Sequence, residues 1–149
     1  MGRARTAAVG RSAAIPVVAS CLEDTDPALR VVAALSLGQL FQRQPDDSAP
    51  FLPSLASLLA DDDGLVRQVA ADSLVQCGDA AVDALADALN SPPEGVRVRA
   101  AIALHRIGSM KTAAPLYHYL EDTNPLVSHY AFETPDRLGL LTNVLLARR

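Results

Sequence analysis

The chain has no tryptophan, three tyrosines, three phenylalanines and two cysteines among its 149 residues. Half of the residues are nevertheless hydrophobic, and they are mostly alanine, leucine and valine, which suits closely packed helices. The sequence also lacks the roughly 20 unbroken apolar residues that a membrane-spanning helix requires. We therefore expect one helical domain and no membrane partner.

Positive charge is scarce as well, since the formal net charge is −4. A sequence-independent nucleic-acid binder needs a broad basic face that displaces counterions from phosphates, so this class is disfavoured. The one basic cluster, Arg3, Arg5 and Arg11, lies in residues 1–12, which we predict to be a flexible, solvated N-terminus. No continuous apolar run precedes Pro16, which disfavours a secretory signal.

The two cysteines, Cys21 and Cys77, both fall within helical patterns. Cys77 occupies the position that Leu40 and Ile107 hold in neighbouring segments. We predict that both are buried free thiols that act as small hydrophobic residues. Free thiols are consistent with a reducing, cytoplasmic location.

Four segments of the chain repeat one pattern, anchored on a leucine: Leu22, Leu59, Leu89 and Leu120. Eight residues after the anchor come Arg30, Arg67, Arg97 and Ser128. Alanine pairs follow in the first three segments, whereas the fourth has Ala131-Phe132. A fixed offset that recurs along a chain is typical of stacked supersecondary units.

Each segment predicts two helices. The first carries apolar residues spaced three and four apart, on one helical face: Ile15/Val18/Leu22, Leu52/Leu55/Leu59, Val82/Leu85/Leu89 and Ala113/Leu116/Leu120. The second carries another stripe: Leu29/Ala33/Leu37/Leu40, Val66/Ala70/Leu74/Cys77 and Val96/Ala100/Leu104/Ile107. Neither helix can bury its stripe alone, so we expect the pairs to stack and share a continuous core.

Polar turns separate the two helices. They supply candidate N-caps for the second helix at Asp26, Asp63 and Asn124, followed in two cases by a proline, Pro27 or Pro125. Gly78 and Gly108 stand where a left-handed residue ends a helix. Residues 42–48 are an insertion that we predict to be a surface loop.

The fourth segment departs from the pattern. Pro135 predicts that the second helix stops or kinks near Thr134, and a last helix is expected over roughly residues 136–147. We interpret this segment as a terminal cap of the stack. An alternative is an aromatic docking edge formed by Tyr117, Tyr119, His129, Tyr130, Phe132 and Pro135.

The runs at residues 26–35 and 63–72, Asp-Pro-Ala-Leu-Arg-Val-Val-Ala-Ala-Leu and Asp-Gly-Leu-Val-Arg-Gln-Val-Ala-Ala-Asp, resemble HEAT repeats, and more narrowly the short repeats of phycobilisome bilin lyases. The resemblance covers roughly residues 13–140. It implies an all-α, right-handed α-solenoid of about four hairpins within one domain, residues 13–149. The implied units are about 13–41, 50–78, 80–108 and 112–147. It also implies a protein-binding adaptor, scaffold or regulatory subunit, with a subunit of a bilin lyase or similar modifying enzyme as the alternative.

Acids and arginines recur around the turns. Asp26 with Arg30 and Asp63 with Arg67 stand four residues apart, a spacing that suits pairing on a helix surface. The family resemblance implies a ladder of such residues between successive repeats, comprising Asp26, Arg30, Asp63, Arg67 and Arg97. A calcium loop is disfavoured, because the acidic run at 61–63 lacks the glycine spacing and the terminal glutamate of such a loop.

The partner-binding surface is expected on the second helices, opposite their buried stripe. The candidate residues are Val31, Leu35, Gln68, Asp72, Val75, Val98, Ile102, His105, Arg106, His129 and Glu133, and the same side of the first repeat includes Gly38. An aligned row of apolar residues at exposed positions is typical of a contact surface. Burial by curvature, or packing against a second copy in a homo-oligomer, is the alternative.

The sequence shows no pattern of a catalytic, cofactor or metal site. His105, His118 and His129 do not lie in a His-Glu pair, and their spacing does not place them on one helical face. Two cysteines in separate repeats do not make a four-ligand zinc site. Neither a phosphate-binding glycine loop nor a nucleophile elbow is present. We therefore predict a non-catalytic protein without a cofactor.

Overall fold

The computed structural model describes residues 13–141 and residue 146. All regular elements in this part of the chain are helical, and it contains no strand, so the predicted all-α fold class is confirmed. None of its helices has both the length and the apolar character needed to cross a membrane. The chain divides into two compact units, Met1–Cys77 and Gly78–Arg149.

The first unit contains two helical hairpins, which we call repeats one and two. Repeat one consists of α1 (residues 13–20) and α2 (Pro27–Arg43), and repeat two of α4 (Leu52–Ser57) and α5 (Gly64–Cys77). A one-turn helix, α3 (Pro45–Ser48), and a 3-10 turn, Ala49–Phe51, connect them. Further 3-10 turns, Cys21–Glu23 and Leu58–Ala60, extend α1 and α4.

The predicted stripes form most of the core of the first unit. Its fully buried large side chains are Ile15, Leu22, Leu37, Leu55, Leu59, Leu74 and Val66. Helices α2 and α5 pack closely, because Gly38 is buried against Ser73: a Cβ atom at position 38 would lie 3.0 Å from the Cβ of Ser73. Packing at this distance requires glycine or a very small side chain on one helix.

The caps that the sequence predicts in the first unit are present. The carboxylate of Asp26 accepts the amide N–H of Ala28 at 2.9 Å, and Pro27 is the first residue of α2. Asp63 accepts the amides of Leu65 and Val66 in the same way, which satisfies donors that the first helical turn leaves unpaired. After α5, Gly78 has a φ of 62°, as expected for a helix-ending glycine.

Three expectations for the first unit are wrong. The insertion at 42–48 is not a plain surface loop, because its second half forms α3 and buries Ser48 completely. Leu29 does not belong to the buried stripe, since its side chain is 45% exposed. Cys21 is only half-buried, whereas Cys77 is buried as predicted.

The second unit contains repeats three and four. A 3-10 turn, Gly78–Ala81, leads into α6 (Val82–Leu89) and α7 (Glu94–Ile107), which form repeat three. Helices α8 (Met110–Tyr117) and α9 (Pro125–Arg137) form repeat four. The fully buried large side chains of this unit are Val82, Leu85, Leu89, Leu104 and Leu116.

The ends of these helices also follow the sequence signals. Gly108 has a φ of 60°, and its amide donates to the carbonyl of Leu104 at the end of α7. Asn124 caps α9 by accepting the amide of Leu126 at 2.9 Å, and Pro125 is the first residue of that helix. With Asp26, Asp63 and Gly78 of the first unit, all three predicted caps and both predicted glycine terminators are confirmed.

Pro135 does not stop α9 near Thr134, which corrects one of the two effects predicted for it. The helix continues through the buried Pro135 and ends at Arg137. Proline lacks the backbone N–H group and therefore removes one hydrogen-bond donor from the helix. Its effect on α9 is small because only two helical residues follow it. The amide of Leu138, three residues after Pro135, donates to the carbonyl of Thr134 at 3.3 Å, so hydrogen bonding of the helical kind continues past the proline.

The last predicted helix does not begin at residue 136, because Asp136 and Arg137 belong to α9. A turn with Gly139 at a φ of 72° follows, and residues 140–141 and 146 are helical. The rest of that predicted helix, residues 142–145 and 147, and the predicted flexible N-terminus, residues 1–12, lie outside the described residues.

Candidate interaction surface

One turn geometry occurs in three repeats, between the first and second helices. Asp24, Asp61 and Asp122 each accept, through Oδ1, the backbone amide of the residue two positions later, at 2.8–2.9 Å. In each case that later residue is the cap of the following helix: Asp26, Asp63 or Asn124. Each turn is therefore fixed by two successive side-chain acceptors.

An arginine in the second helix of each of repeats one to three binds the turn of its own repeat. The Nη1 of Arg30 donates to the carbonyls of Asp24 and Thr25, at 2.8 and 3.2 Å. Arg67 and Arg97 bind the carbonyls of their own turns through the same atom, at 2.6–3.3 Å. The first role of these arginines is thus local, because they pair turn carbonyls that no helix satisfies.

The other edge of the guanidinium joins successive repeats within a unit. Arg30 donates from Nε and Nη2 to the two carboxylate oxygens of Asp61, at 2.9 and 3.0 Å. In the second unit, Arg97 binds Asp122 with the same bidentate geometry, at 3.3 and 3.4 Å. Such forked pairs fix orientation as well as charge, so each arginine aligns the turn of one repeat with that of the next.

Burial and hydrogen bonding oppose each other at Asp61. Burial raises the pKa of this carboxyl group, but the hydrogen bonds from Arg30 and from the amide of Asp63 outweigh it, and the pKa of Asp61 lies below its ordinary value. The hydrogen bond from Asp61 is likewise the main reason that the pKa of Arg30 is raised. Asp61 therefore stays ionised next to Arg30 under ordinary conditions.

The arginine–aspartate pairs that join successive repeats, which we call rungs, differ from the pairs predicted from the sequence. Spacing pointed to Asp26 with Arg30 and Asp63 with Arg67, but Asp26 and Asp63 cap helices, and Arg30 binds Asp61. A signal for the correct acid is present in the sequence. It is an aspartate two residues before the cap, as in Asp24-x-Asp26, Asp61-x-Asp63 and Asp122-x-Asn124.

In the first unit, the candidate partner-binding residues lie on α2 and α5 with graded exposure. The side chain of Leu35 is 46% exposed, and Gln68 is exposed as well. Val31, Asp72 and Val75 are half-buried. An exposed leucine next to a half-buried valine forms a small apolar patch on the second helix of repeat one.

In the second unit, the candidates lie on α7 and α9. Arg106, His129 and Glu133 are exposed, whereas Val98, Ile102 and His105 are half-buried. This part of the predicted surface is therefore more polar and more strongly charged than that of the first unit.

His105 is held by α9 through a network of hydrogen bonds. The hydroxyl of Thr134 donates to the carbonyl of Tyr130 at 2.9 Å, so its oxygen accepts a hydrogen bond from the N–H group at Nδ1 of His105, at 2.8 Å. This tautomer leaves the lone pair on Nε2 facing Nη1 of Arg137, at 3.5 Å. Arg137 also donates to the carbonyl of His105, and the ring of Tyr130 lies 5.0 Å from the imidazole.

These surroundings favour the neutral imidazole. Burial lowers the pKa of His105, and the charge of Arg137 lowers it further. His129 acts in the same direction, and Glu133 acts in the opposite one. Protonation would place a second positive charge next to the guanidinium, in a contact that joins α7 to α9.

The second unit is expected to lose stability in mild acid because of His105. Its folded-state pKa is lowered, so below about pH 6.5 the unfolded chain binds a proton that the folded chain resists. Stability is fully present above that value and decreases as the pH falls. The measurement is the thermal midpoint at about pH 7.5 and about pH 5.5, followed by tyrosine fluorescence, because all three tyrosines lie in this unit.

The His105→Gln variant tests this cause, because glutamine can donate to Thr134 but does not titrate. It is expected to reduce the fall of the midpoint between the two pH values, whereas His118→Gln, at an exposed position, is expected to leave that fall unchanged. Equal falls in His105→Gln and in the unmodified chain would show that the contact between His105 and α9 does not cause the acid sensitivity.

The proposed aromatic edge of repeat four is only partly assembled. Phe132 and Tyr117 are 49% and 37% exposed, whereas Tyr119 and Tyr130 are half-buried and Pro135 is buried. Tyr117 and Pro135 line an apolar cavity of about 280 Å³, together with Met110, Ala113, Ala114, Leu140 and Leu141. The cavity contains no convergent polar groups that would orient a small molecule.

The thiol of Cys77 is buried and is not activated as a nucleophile. Burial raises the pKa of Cys77 to about 11, so its thiol is protonated and poorly nucleophilic at neutral pH. Within residues 13–141 and 146, no group of three histidine, cysteine or acidic side chains is placed to hold a metal ion.

Helical hairpins with repeated turns and arginine–aspartate rungs define a helical-repeat protein. A family model of HEAT repeats matches residues 3–75 and residues 52–134, and the chain belongs to the HEAT repeat family. This match does not confirm the narrower resemblance to the bilin lyase type.

The other comparisons concern curated proteins and solved structures. No curated protein matches the chain significantly. The crystal structure of an engineered protein from the Northeast Structural Genomics Consortium is similar, with a TM-score of 0.50 and 22% sequence identity. The similarity covers 80% of this chain, which spans 60% of the length of that protein, and at this identity it shows the fold alone.

Proposed function

We propose that the protein is a non-catalytic interaction module, an adaptor, scaffold or regulatory subunit, that binds a partner protein through its second helices. The observation that carries this proposal is the exposure of Leu35, which is 46% accessible on α2 next to the half-buried Val31. Membership of the HEAT repeat family supports it, since such repeats generally bind other proteins. The comparisons do not identify the partner.

The chemistry of the surface indicates what such a partner presents. The first unit offers the apolar patch of Val31 and Leu35 on α2, and Gln68, Asp72 and Val75 on α5, and the second unit offers the charged residues Arg106 and Glu133. Apolar residues surrounded by polar ones are typical of protein interfaces. We therefore expect a partner with an apolar anchor, such as a leucine or an aromatic side chain, that packs on Leu35.

The test is affinity capture from the source cell with the full-length chain, followed by mass spectrometry. Leu35→Glu and Ile102→Lys are each expected to reduce recovery of the captured partner at least roughly tenfold, because a charge replaces apolar contact area. Circular dichroism checks that each variant keeps its helical content.

Leu65→Glu is the matched control for Leu35→Glu. Leu65 also lies on a second helix of the first unit and is 58% exposed, but it is not part of the proposed surface. We expect this control to capture the partner as well as the unmodified chain does. The proposal is wrong if Leu35→Glu and Ile102→Lys both retain full capture, or if Leu65→Glu loses as much as they do.

A further inference from the structure

Repeat one carries a set of residues whose counterparts in repeats two and four are buried, half-buried or in contact with the preceding repeat. We call Asp24, Leu29, Val32 and Ser36 the N-terminal edge. Their counterparts are Asp61, Val66, Val69 and Ser73 in repeat two, and Asp122, Val127, Tyr130 and Thr134 in repeat four. The contacts of these counterparts indicate which side chains a partner of the N-terminal edge would present.

The counterparts contact the repeat before them at the same places in both units. The aspartates receive the arginine of the preceding repeat, Asp61 from Arg30 and Asp122 from Arg97. In repeat two, Ser73 packs against Gly38 of the preceding second helix.

Repeat four shows the same relation one unit later in the chain. Thr134 accepts from Nδ1 of His105, which holds the position of Gly38 in its own repeat. The ring of Tyr130, the counterpart of Val32, lies 5.0 Å from that imidazole. The position of Val32 is thus one that faces a preceding second helix.

Leu29, Val32 and Ser36 of the N-terminal edge are more exposed than their counterparts in repeats two and four. Val66 and Val127 are 0% exposed, whereas Leu29, at the same position, is 45% exposed. Val32 is 56% exposed, whereas Val69 and Tyr130 are half-buried. Ser36 is half-buried, but Ser73 and Thr134 are 1% and 0% exposed.

Asp24 completes the edge with a charge. It is half-buried, and it makes the same turn as Asp61 and Asp122 by accepting the amide of Asp26. Among the described residues, no arginine approaches it as Arg30 approaches Asp61. An apolar strip next to a carboxylate in this position is complementary to an apolar helix that carries an arginine.

We propose that the N-terminal edge binds a helical hairpin of another protein, with an arginine that forks onto Asp24 and a second helix that packs on Ser36 as the preceding helix packs on Ser73 or Thr134. A second copy of this chain is a poorer occupant. Its last described repeat carries Ser128 where a forward-reaching arginine is required, and it exposes the bulky Phe132. The edge borders the surface around Leu35, because Val32 and Leu35 stand three residues apart on α2. The carboxylate of Asp24 therefore distinguishes a partner on the edge from a partner on that surface.

The experiment places a photoreactive benzoylphenylalanine at position 32 of the full-length chain in the source cell. Irradiation is expected to yield an adduct whose cross-linked peptide, identified by mass spectrometry, belongs to an arginine-containing helical hairpin of a different protein. The same group at Met110, which is 61% exposed in the second unit, is the control and is expected not to give this adduct.

Asp24→Asn tests the charged rung. Asparagine still accepts the amide that fixes the turn, as Asn124 does at its own cap, so the turn is retained while the charge is lost. We expect the adduct yield at position 32 to fall roughly tenfold. Asp62→Asn, at an exposed acid of the neighbouring turn, is expected to leave the yield unchanged.

Several outcomes overturn the proposal. They are the absence of an adduct, an adduct to residues 1–12 or to a second copy of this chain, a cross-linked hairpin without arginine, and an Asp24→Asn yield equal to that of Asp62→Asn. Asp24→Asn separates this proposal from that of the surface at Leu35, because it removes the charge of the edge and leaves Val31 and Leu35 unchanged. Affinity capture that is lost in Leu35→Glu and retained in Asp24→Asn supports the surface at Leu35 and overturns the edge.

Discussion

Leu89→Ala is expected to lower the free energy of unfolding of the second unit by about 3–4 kcal/mol, and Leu120→Ala by only about 1–2 kcal/mol. Both leucines are anchors of the repeat pattern, and both lie in the same unit. Leu89 is 0% exposed, so its truncation removes apolar contacts on every side and leaves a cavity. Leu120 is half-buried, and water replaces part of what its truncation removes.

Tyrosine fluorescence during urea unfolding measures this difference, because all three tyrosines lie in this unit. Met110→Ala, at a side chain that is 61% exposed in the same unit, is the control and is expected to change the midpoint little. Equal losses at Leu89 and Leu120 would show that position in the repeat, and not burial, sets the contribution of each anchor.

The anchor leucines also show which features of the fold can be predicted from the sequence alone. The periodicity correctly predicts the paired helices of the four repeats, three N-caps and two helix-ending glycines, because these depend on residues three or four positions apart. It also identifies Leu59 and Leu89 as core residues. It does not separate Leu120 or Leu29 from their equivalents, since their exposure depends on what the adjacent repeat covers.

The ladder illustrates the same limit. The partner of Arg30 is Asp61, 31 residues away, and no local spacing distinguishes it from the nearer Asp26. Asp61 can be identified as the partner only when the turns are aligned, because an aspartate then recurs two residues before the caps Asp26, Asp63 and Asn124. Pro135 failed as a helix breaker because its effect depends on how many residues of α9 follow it.

The candidate surface depends even more on contacts between repeats. A helical wheel places His105 and Gly38 on the outer side of their helices, whereas the structure packs the first against Thr134 and the second against Ser73. Leu35 remains exposed, as the wheel predicts. The wheel treats each helix as isolated, so it cannot show which outer positions the following repeat covers.

Gly38→Leu is expected to destabilise the first unit by about 1–3 kcal/mol. Even a methyl group at position 38 would lie 3.0 Å from the Cβ and 3.1 Å from the Oγ of Ser73, so a leucine forces α2 and α5 apart. Replacing a helical glycine normally stabilises a helix by roughly 0.5–1 kcal/mol, which is smaller than the expected strain. Gly64→Leu is the matched control, because a Cβ there makes only an ordinary contact, 3.5 Å from the side chain of Arg67.

The buried thiol of Cys77 reports this change, because it lies in the first unit at the end of α5 and reacts only when that region opens. Its alkylation rate, located by mass spectrometry, is expected to rise roughly tenfold for each 1.4 kcal/mol lost in Gly38→Leu. Gly64→Leu is expected to keep the rate of the unmodified chain. If both variants alkylate at that rate, the separation between α2 and α5 is not set by Gly38, and the close packing of these helices does not limit the stability of the first unit.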